Sequence, residues 1–339
     1  MVSIKDIAKK CEVSVATVSK ALNDCSDISE KTKKMVRAVA DELGYFPNSQ
    51  AKALKTSKTN TIGVIYANRL GSGFRHIYFS SVIESFKNAV EKKGYDLIFI
   101  GSETVGMNCC TYYEHCKHRN VDGVLIACTD FYDSEVIRVL RSELPVVVVD
   151  FFSKRDFSVC SDNRQGMRDI IEYVYEMGHR KIAYIYGDTS QMTTVRLDTF
   201  TETMKQLGVP VLHDYICQGR YNDLKLAEEL VTRMLSLYEP PTCIIMPDDV
   251  SAFGAFIAAR KLGIRIPDDL SIVGYDGVSF GQIFSPELTT VFQDTDMLGV
   301  KAAELLLSRI NNEDISEVRK HTLVETKLLK GQTVKKLTI

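Results

Sequence analysis

The sequence predicts an all-α helix-turn-helix domain at the N-terminus, followed by an α/β core of two lobes with parallel, doubly wound sheets. Three observations lead to this prediction. Residues 1–60 contain capped helical segments and no β-type run. From Thr61 onward, continuous apolar runs alternate with helical segments, and this series occurs twice. Strands that are buried on both faces and joined by helices are typical of parallel sheets.

Composition places the chain among ordinary globular proteins. It has 339 residues, of which 45% are hydrophobic and 25% are charged, so two or three domains are expected. No run is long enough for a transmembrane helix, and Asp6 interrupts the N-terminus where a signal peptide would be apolar. We therefore expect a cytoplasmic protein without membrane contact. The nine cysteines contain no CxxC pair and are expected to be reduced thiols.

The net charge of −2 hides an asymmetry between the two ends of the chain. Residues 1–60 hold eleven Lys and Arg against seven Asp and Glu, and the remainder holds 31 against 37. A small basic module attached to an acidic body indicates either nucleic-acid binding or a solvated lysine-rich surface. Charge alone does not separate these two interpretations.

Three helices are predicted in the N-terminal domain from their caps. Ser3 and Asp6 form a capping box, and Ser14 and Ser29 are N-caps of the next two helices. Gly44 ends the third helix. The apolar positions are Ile4, Ile7, Ala8 and Cys11 in the first helix, Val18 and Leu22 in the second, and Met35, Val36, Val39, Ala40 and Leu43 in the third.

The second helix carries apolar residues on the wrong face for a simple core helix. On a helical wheel, the side opposite Val18 and Leu22 holds Val15, Ala16, Ser19, Lys20 and Asn23. Two short helices joined by a tight turn and supported by a third form a helix-turn-helix.

A polar segment follows, and it is too short to be a stable isolated helix. In residues 47–60, Ala51 and Leu54 share one helical face. The segment is predicted to be a linker that folds on contact with a partner, or else a Lys/Ser/Thr connector that never orders.

The remaining chain, residues 61–339, is predicted to be the two-lobed core. The first lobe covers about 61–161 and 293–320, and the second about 162–290 and 321–330. Its strands include "TIGVIYA", "VDGVLIA" and "PVVVVDF" in the first lobe and "KIAYIYG" and "LSIVGYDG" in the second. A cleft between the lobes, at the carboxyl ends of the strands, is the expected ligand site.

These motifs together resemble one known family across essentially the whole chain. The segments "VSIKDIAKKCEVSVATVSKALN", "YFPNSQAKAL" and "IPDDLSIVGYDGVSFGQIFSPELTTVFQD" are similar in content and spacing to the lac repressor family (LacI/GalR). The resemblance implies a DNA-binding domain at 1–46, a hinge helix within 47–60 and a core similar to periplasmic sugar-binding proteins. It also implies a homodimer on a pseudo-palindromic operator and a transcriptional regulator, most simply a repressor.

The resemblance also assigns roles to residues of the DNA-binding domain and hinge. The second helix becomes a recognition helix in the major groove, with Val15, Ala16 and Lys20 at base-reading positions. Ser14, Thr17, Ser19 and Asn23 suit phosphate contacts. Leu54 matches a leucine that wedges into the minor groove, and the flanking Lys52 and Lys55 would neutralise phosphates.

In the core, the resemblance points to a small-molecule effector between the lobes. Arg196 and Asp276 form the central expected pair, because a ligand hydroxyl can bridge a guanidinium and a carboxylate. Asp249 is interpreted as a helix cap. The other expected effector contacts are Tyr78, Phe79, Asp150, Asp162, Tyr221 and Asp248.

Several acidic residues against one arginine favour a neutral sugar as the effector, with a nucleoside or base as the second choice. A protein co-effector on the first lobe is a further alternative. The sequence shows no catalytic constellation, so an enzyme is not expected, and no cofactor is expected either. A solute-binding protein without a regulatory role would need export and would not carry a helix-turn-helix. With no heptads after "LVETKLLKG", assembly is expected to stop at the dimer.

The segment "CCTYYEHCKH" invites a metal interpretation through Cys109, Cys110, His115, Cys116 and His118. On a helix, however, the two histidines do not converge with the cysteine stripe. Structural packing is therefore predicted, and no metal site.

Overall fold

The computed structural model describes residues 2–46, 58–66, 73–101, 111–283, 285–316 and 320–338. It divides into two compact units, residues 1–59 and 60–339. The predicted hinge, residues 47–60, lies mostly outside the described residues. Within the described ranges, every helix is too short or too polar to cross a bilayer.

The first unit contains three helices: α1 (Ile4–Lys10), α2 (Val15–Leu22) and α3 (Glu30–Glu42). The Ser14 and Ser29 side chains accept hydrogen bonds from the backbone N–H groups of Thr17 and Thr32 and so cap α2 and α3. At the start of α1, the Asp6 carboxylate accepts the backbone N–H of Ser3 at 2.9 Å. These caps fix where each short helix begins, as the sequence predicted.

The core of this unit is formed by one face of each helix. Ile7, Val18, Ala21 and Val36 are fully buried. Met35 differs from the expectation, because it is 40% exposed. Val36 and Ala40 are four residues apart and lie on one buried helix face, so Met35, which precedes Val36, points toward solvent.

The second unit contains two six-stranded sheets with helices on both faces. The first lobe contains β1 (Thr61–Tyr66), α4 (Ile77–Glu91), β2 (Asp96–Phe99), α5 (Tyr112–Arg119), β3 (Gly123–Ala127), α6 (Ser134–Leu140), β4 (Val146–Val149), β5 (Phe157–Ser161), α12 (Thr295–Ile310) and β11 (His321–Val324). Its strand order is β11-β5-β4-β3-β1-β2, and all its neighbours are parallel.

The second lobe repeats this plan. It contains α7 (Asn163–Glu176), β6 (Ile182–Tyr186), α8 (Gln191–Gln206), β7 (Ile216–Gln218), α9 (Leu224–Leu235), β8 (Cys243–Ile245), α10 (Asp249–Leu262), β9 (Ser271–Asp276), α11 (Ser279–Ile283), β10 (Thr289–Gln293) and β12 (Thr326–Leu329). The order is β12-β10-β9-β8-β6-β7, with only β12 antiparallel to its neighbour. The predicted fold class is confirmed.

The chain passes between the lobes three times, after β5, after β10 and between β11 and β12. The prediction assigned residues 321–330 to the second lobe, and the structure divides that segment. His321–Val324 pairs with β5, whereas Thr326–Leu329 pairs with β10. The continuous segment 321–329 therefore supplies one edge strand to each sheet, and Glu325 lies at the crossing between the lobes.

The helix α12 packs closely on α4 in the first lobe. A Cβ added at Gly299 would lie 2.5 Å from the backbone nitrogen of Phe86 and 2.6 Å from the carbonyl oxygen of Val82. The Ser85 hydroxyl also donates to the Asp296 carbonyl at 2.7 Å. Glycine is thus required for the close approach of these two helices.

We expect Gly299→Ala to lower the free energy of unfolding by about 3 kcal/mol, because the added methyl group meets backbone atoms that cannot move aside. Denaturant unfolding of the full chain measures this change. Gly281→Ala is the control, since the nearest atom to its added Cβ is 3.5 Å away. Similar losses in both variants would contradict the packing argument.

Candidate functional site

The second helix of the first unit presents a small apolar tip to solvent. Val15 is 45% exposed and Ala16 is also exposed, whereas Val18, three residues after Val15, is fully buried. Burial of the Val18 face accounts for the packing of α2 on α1 and α3. The exposed apolar pair is therefore not explained by the core of this unit.

The polar residues of α2 are ordered around this tip. The Ser14 and Thr17 hydroxyls are 2.8 Å apart, and the Asn23 side-chain amide donates to the Ser19 carbonyl at 2.7 Å. Ser14, Lys20 and Asn23 are exposed, and Thr17 and Ser19 are half-buried. Lys20 forms an ion pair with Asp27 in the loop before α3. The expected hinge contacts, Lys52, Leu54 and Lys55, lie outside the described residues.

Within the second unit, polar side chains from both lobes meet at the carboxyl ends of the parallel strands. Asp150 follows β4, and Asp276 ends β9. The Asp150 carboxylate interacts electrostatically with Tyr78 and Arg196. Arg196 in turn interacts with Tyr221 and Asp276. The structure thus brings five of the predicted effector residues into one site between the lobes.

Arg196 is fixed by contacts that the sequence analysis did not identify. Its Nε donates to Asn163 Oδ1 at 2.6 Å, and one terminal nitrogen donates to the Pro247 carbonyl at 3.3 Å. The guanidinium also lies 3.6 Å from the centre of the Tyr275 ring. No direct hydrogen bond or ion pair joins Arg196 to Asp276 among the described residues. The expected pair therefore shares a site without touching.

The two carboxylates of the site are held in an unusual environment. Asp150 has φ +57° and Asp276 has φ +108°, which are strained values for residues with a side chain. Burial raises the pKa of the Asp150 carboxyl and raises that of Asp276 well above the usual range. Gln293 donates to Asp276 Oδ1 at 2.7 Å. Strained, half-buried acids whose pKa values are raised are a common property of functional sites.

Tyr221 forms an aromatic wall beside Arg196. Its hydroxyl is 2.8 Å from the Thr193 hydroxyl, and its backbone N–H donates to the Asp188 carboxylate at 3.0 Å. The ring packs over Gly187, where an added Cβ would lie only 2.3 Å from it. This close approach requires glycine at that position.

Buried polar atoms cluster around the site. Tyr78 Oη, Asp150 Oδ1 and Ser161 Oγ lie beside one another, whereas Gln293 Oε1 has no hydrogen-bond partner within the described part of the chain. An unpaired buried polar group costs about 1–3 kcal/mol, so it is normally satisfied by protein, water or ligand. Carboxylate and amide oxygens require donors, which a hydroxyl-rich ligand supplies.

Asp162 and Asp248, which the sequence placed among the effector contacts, both cap helices. Asp162 caps α7 by accepting the Gln165 N–H at 3.0 Å. Asp248 is fully buried and caps α10; its carboxylate accepts from the N–H and hydroxyl of Ser251 and from the N–H of Asn222. The Asp248 carboxylate is thus occupied by the protein and orders the loop next to Tyr221, whereas Asp162 is half-buried.

Asp249 is not the cap that the sequence suggested. It begins α10, and its carboxylate accepts hydrogen bonds from the Thr290 hydroxyl and from the N–H of Val278. Burial raises its pKa to about 7. Val278 lies in the loop that follows β9, and Thr290 lies in β10, so Asp249 braces the backbone next to Asp276.

Phe79 is half-buried and lies in an aromatic cluster beside the polar residues of the site. Its ring makes edge contacts with His76, Tyr78 and Tyr66, with centroids 4.9, 5.0 and 6.4 Å away. Phe79 therefore supports the position of Tyr78.

Three further residues of the site, Asn163, Tyr275 and Gln293, were not predicted from the sequence. Tyr275 and Gln293 lie at the carboxyl ends of β9 and β10, and Asn163 begins the helix that follows β5, at the same edge as Asp150 and Asp276. That placement was the available signal, because carboxyl ends of parallel strands converge on one cleft. Neutral side chains in these positions gave no charge pattern to notice.

A direct link between the lobes lies near this site. The Gln191 amide accepts the backbone N–H of Phe152 at 2.6 Å and donates to the Phe152 carbonyl at 2.8 Å. Gln191 begins α8, which also carries Arg196, and Phe152 follows Asp150. These two hydrogen bonds therefore join the segment after Asp150 to the helix that carries Arg196.

The described part of the cysteine-rich segment, from Thr111 onward, lies in the first lobe. On α5, Cys116 is fully buried and His115 contacts the Gly101 carbonyl at 3.0 Å. Cys109 and Cys110 lie outside the described residues. Within the described ranges, no group of three His, Cys, Asp or Glu residues is arranged to hold a metal ion.

Comparisons with known proteins cover both units. Residues 3–48 match the family model described as bacterial regulatory proteins, lacI family, and residues 171–334 match the periplasmic binding protein-like domain. The chain is 31% identical to the probable HTH-type transcriptional repressor ExuR of Bacillus subtilis (strain 168), with all of both chains covered. It is 34% identical to the HTH-type transcriptional repressor PurR of Klebsiella pneumoniae (strain 342), over 92% of each chain.

Solved structures show the same architecture. The Lac repressor dimer bound to operator and the anti-inducer ONPF superimposes with a TM-score of 0.85 at 25% identity, covering 98% of this chain and 99% of that one. The complex of the transcriptional regulator CelR with cellobiose superimposes with a TM-score of 0.69 at 22% identity, covering 98% and 100%.

Proposed function

Because the chain belongs to the lacI family of bacterial regulatory proteins, we propose that it is a repressor that binds a palindromic operator as a homodimer and responds to a small molecule in its cleft. Its relatives are transcriptional repressors rather than enzymes. The single observation that supports operator reading most strongly is the exposed apolar tip of α2, with Val15 outward and Val18 inward.

In this proposal, α2 enters the major groove. Val15 and Ala16 read thymine methyl groups and groove shape, and Lys20 donates to guanine O6 and N7. Ser14, Thr17, Ser19 and Asn23 contact phosphates and set the register of docking. The ordered hydroxyls and amide around the tip support this division of roles.

The proposed hinge contacts complete the operator interface. Leu54 would enter the minor groove at the centre of the site, one leucine from each subunit, and kink the DNA. Lys52 and Lys55 would neutralise the adjacent phosphates. Coupling between hinge folding and DNA contact would then make the hinge the switch element.

Exposed apolar surface in the second lobe supports a homodimer. Phe253 and Phe280 have ring centroids 5.1 Å apart on α10 and α11, and Ile283 on α11 is 84% exposed. A second copy of the chain would bury this surface.

We propose a neutral, hydroxyl-rich effector, most simply a sugar. Asp150 and Asp276 share the cleft with a single arginine, and a neutral ligand fits both their protonated and their ionised forms, whereas an anionic ligand would be repelled by either acid when it is ionised. The buried Gln293 Oε1 needs a donor, and the Tyr221 ring offers an apolar face. A nucleoside or base is the second candidate, because a flat ring would also fit against Tyr221.

A selection experiment tests the operator-binding proposal. Full-length protein is incubated with a randomised duplex library, and retained sequences are amplified. We expect a palindrome whose retardation in a gel weakens steeply with salt, because several phosphates are neutralised. Recovery of no enriched sequence, or a binding signal that salt does not change, would refute the regulator proposal and favour a solute-binding protein.

Replacement of Val15 and Ala16 by larger polar residues should change which half-site is selected, since these side chains face base edges. Replacement of Thr17 or Ser19 by alanine should weaken all sites alike, by roughly tenfold, because phosphate contacts carry no sequence information. Parallel selections with each variant measure the two effects. An unchanged half-site after the Val15 and Ala16 replacements would contradict the reading role.

A further inference from the structure

The loop between α2 and α3 supplies a counter-charge to the recognition helix. Lys20 is the only charged residue of α2, and its Nζ forms an ion pair with the Asp27 carboxylate. The contact raises the pKa of Lys20 and lowers that of Asp27, so both groups are charged at neutral pH. The proposed base-reading cation is thus already paired in the free protein.

This ion pair is poorly suited to a structural role. The two side chains are 49% and 54% exposed, and exposed pairs contribute little to stability. The first unit has other ion pairs that connect its helices, including the one between Lys10 on α1 and Glu42 on α3 at 2.6 Å. A function at the DNA-facing surface explains the position of Asp27 better than folding does.

The pair has different consequences for the two modes of DNA binding. Binding to unselected DNA depends on how many phosphates the protein neutralises, and a lysine whose charge is balanced by a neighbouring carboxylate contributes less to it. A base contact depends on directed hydrogen bonds instead. The ammonium group has three donors, so Lys20 can retain Asp27 and still donate to guanine O6 and N7.

We propose that Asp27 is a specificity-determining residue that positions Lys20 for a base contact and reduces the attraction of α2 for unselected DNA. This inference rests on the proposed operator-binding function. Asp27 acts through Lys20 and does not itself need to touch DNA. Its removal should therefore strengthen binding to random sequence while giving no comparable gain at the operator.

The test compares Asp27→Asn with wild type, using full-length protein and two duplexes of equal length. One is the palindrome that wild type selects from the random library, and the other has a mixed sequence. We expect Asp27→Asn to bind the mixed duplex roughly 3- to 10-fold more tightly, with a salt slope steeper by about one per subunit. Its ratio of selected to mixed affinity should fall at least threefold.

Two further variants separate this role from a general charge effect. Glu42→Gln removes one negative charge from the same unit and breaks an ion pair that does not include α2. The ratio of selected to mixed affinity of Glu42→Gln should equal that of wild type. Asp27→Glu retains the carboxylate and should keep the wild-type ratio of selected to mixed affinity. An unchanged ratio in Asp27→Asn, or an equal fall in Glu42→Gln, would overturn the inference and leave the proposed function intact.

Failure of the proposed function itself would look different. In that case the wild-type protein would enrich no palindrome in the selection, and the inference would fall with it. A thermal midpoint of Asp27→Asn that matches wild type, together with a lowered ratio, would show that the change acts on DNA binding rather than on folding.

Discussion

Arg196→Lys is expected to abolish the response to effector while operator binding in the absence of effector remains at the wild-type level. Lysine keeps the positive charge that faces Asp150 and Asp276, so the electrostatic balance of the cleft is retained. It loses the planar guanidinium group with its paired donors and the 2.6 Å hydrogen bond from Nε to Asn163 Oδ1. Loss of two charged hydrogen bonds between the guanidinium and the effector corresponds to about 3 kcal/mol, or roughly 100-fold in effector affinity.

The measurement is effector binding by calorimetry, followed by operator retardation with and without effector. The compound used is the strongest stabiliser in a thermal-shift screen of neutral sugars and nucleosides. Arg180→Lys is the control, because Arg180 lies 3.6 Å over the Tyr175 ring and contacts backbone carbonyls outside the cleft. A wild-type response from Arg196→Lys would show that the effector site lies elsewhere.

Leu54→Ala is expected to weaken operator affinity by roughly 100-fold and to remove most of the DNA bend. If one leucine from each subunit unstacks the central base step, both wedges are lost together, which corresponds to about 3 kcal/mol. The half-site preference should not change, because Val15, Ala16 and Lys20 are intact. Affinity and bend can be measured on the selected palindrome by retardation with the site at different positions along the fragment.

Leu54→Met serves as the control for this change, since methionine retains an apolar side chain of similar length. We expect it to keep most of the bend. An unchanged bend in Leu54→Ala would remove the wedge role, and a change in half-site preference would place Leu54 among the base-reading residues.

The architecture could be predicted from the sequence where local signals were strong. Ser14 and Ser29 were recognisable caps because a hydroxyl precedes each amphipathic run, and the structure confirms both. The periodicity of α2 correctly separated the buried Val18 from the exposed Val15. Long apolar strands such as β1 and β9 were equally clear, whereas β5, β7 and β10 interrupt their apolar residues with Ser, Cys, Thr or Gln and were not predicted.

The cleft was harder to predict because its geometry depends on contacts between distant segments. Asn163 fixes Arg196 across 33 positions in sequence, and Gln293 fixes Asp276 across 17. Asp248 and Asp249 are adjacent, yet one caps α10 and the other braces the β9 loop. Residue type alone gives the same expectation for both, and only the surrounding hydrogen-bond donors distinguish them.

The central claim is that a ligand in the cleft and operator DNA on the first unit influence each other's binding. The most direct measurement is the operator affinity of the full-length protein as the concentration of the identified compound is raised, together with the affinity for that compound with and without operator. The claim predicts a change of about 5- to 150-fold in operator affinity and the same factor in the reciprocal measurement, as linkage requires. Operator affinity that stays constant at saturating compound would contradict it.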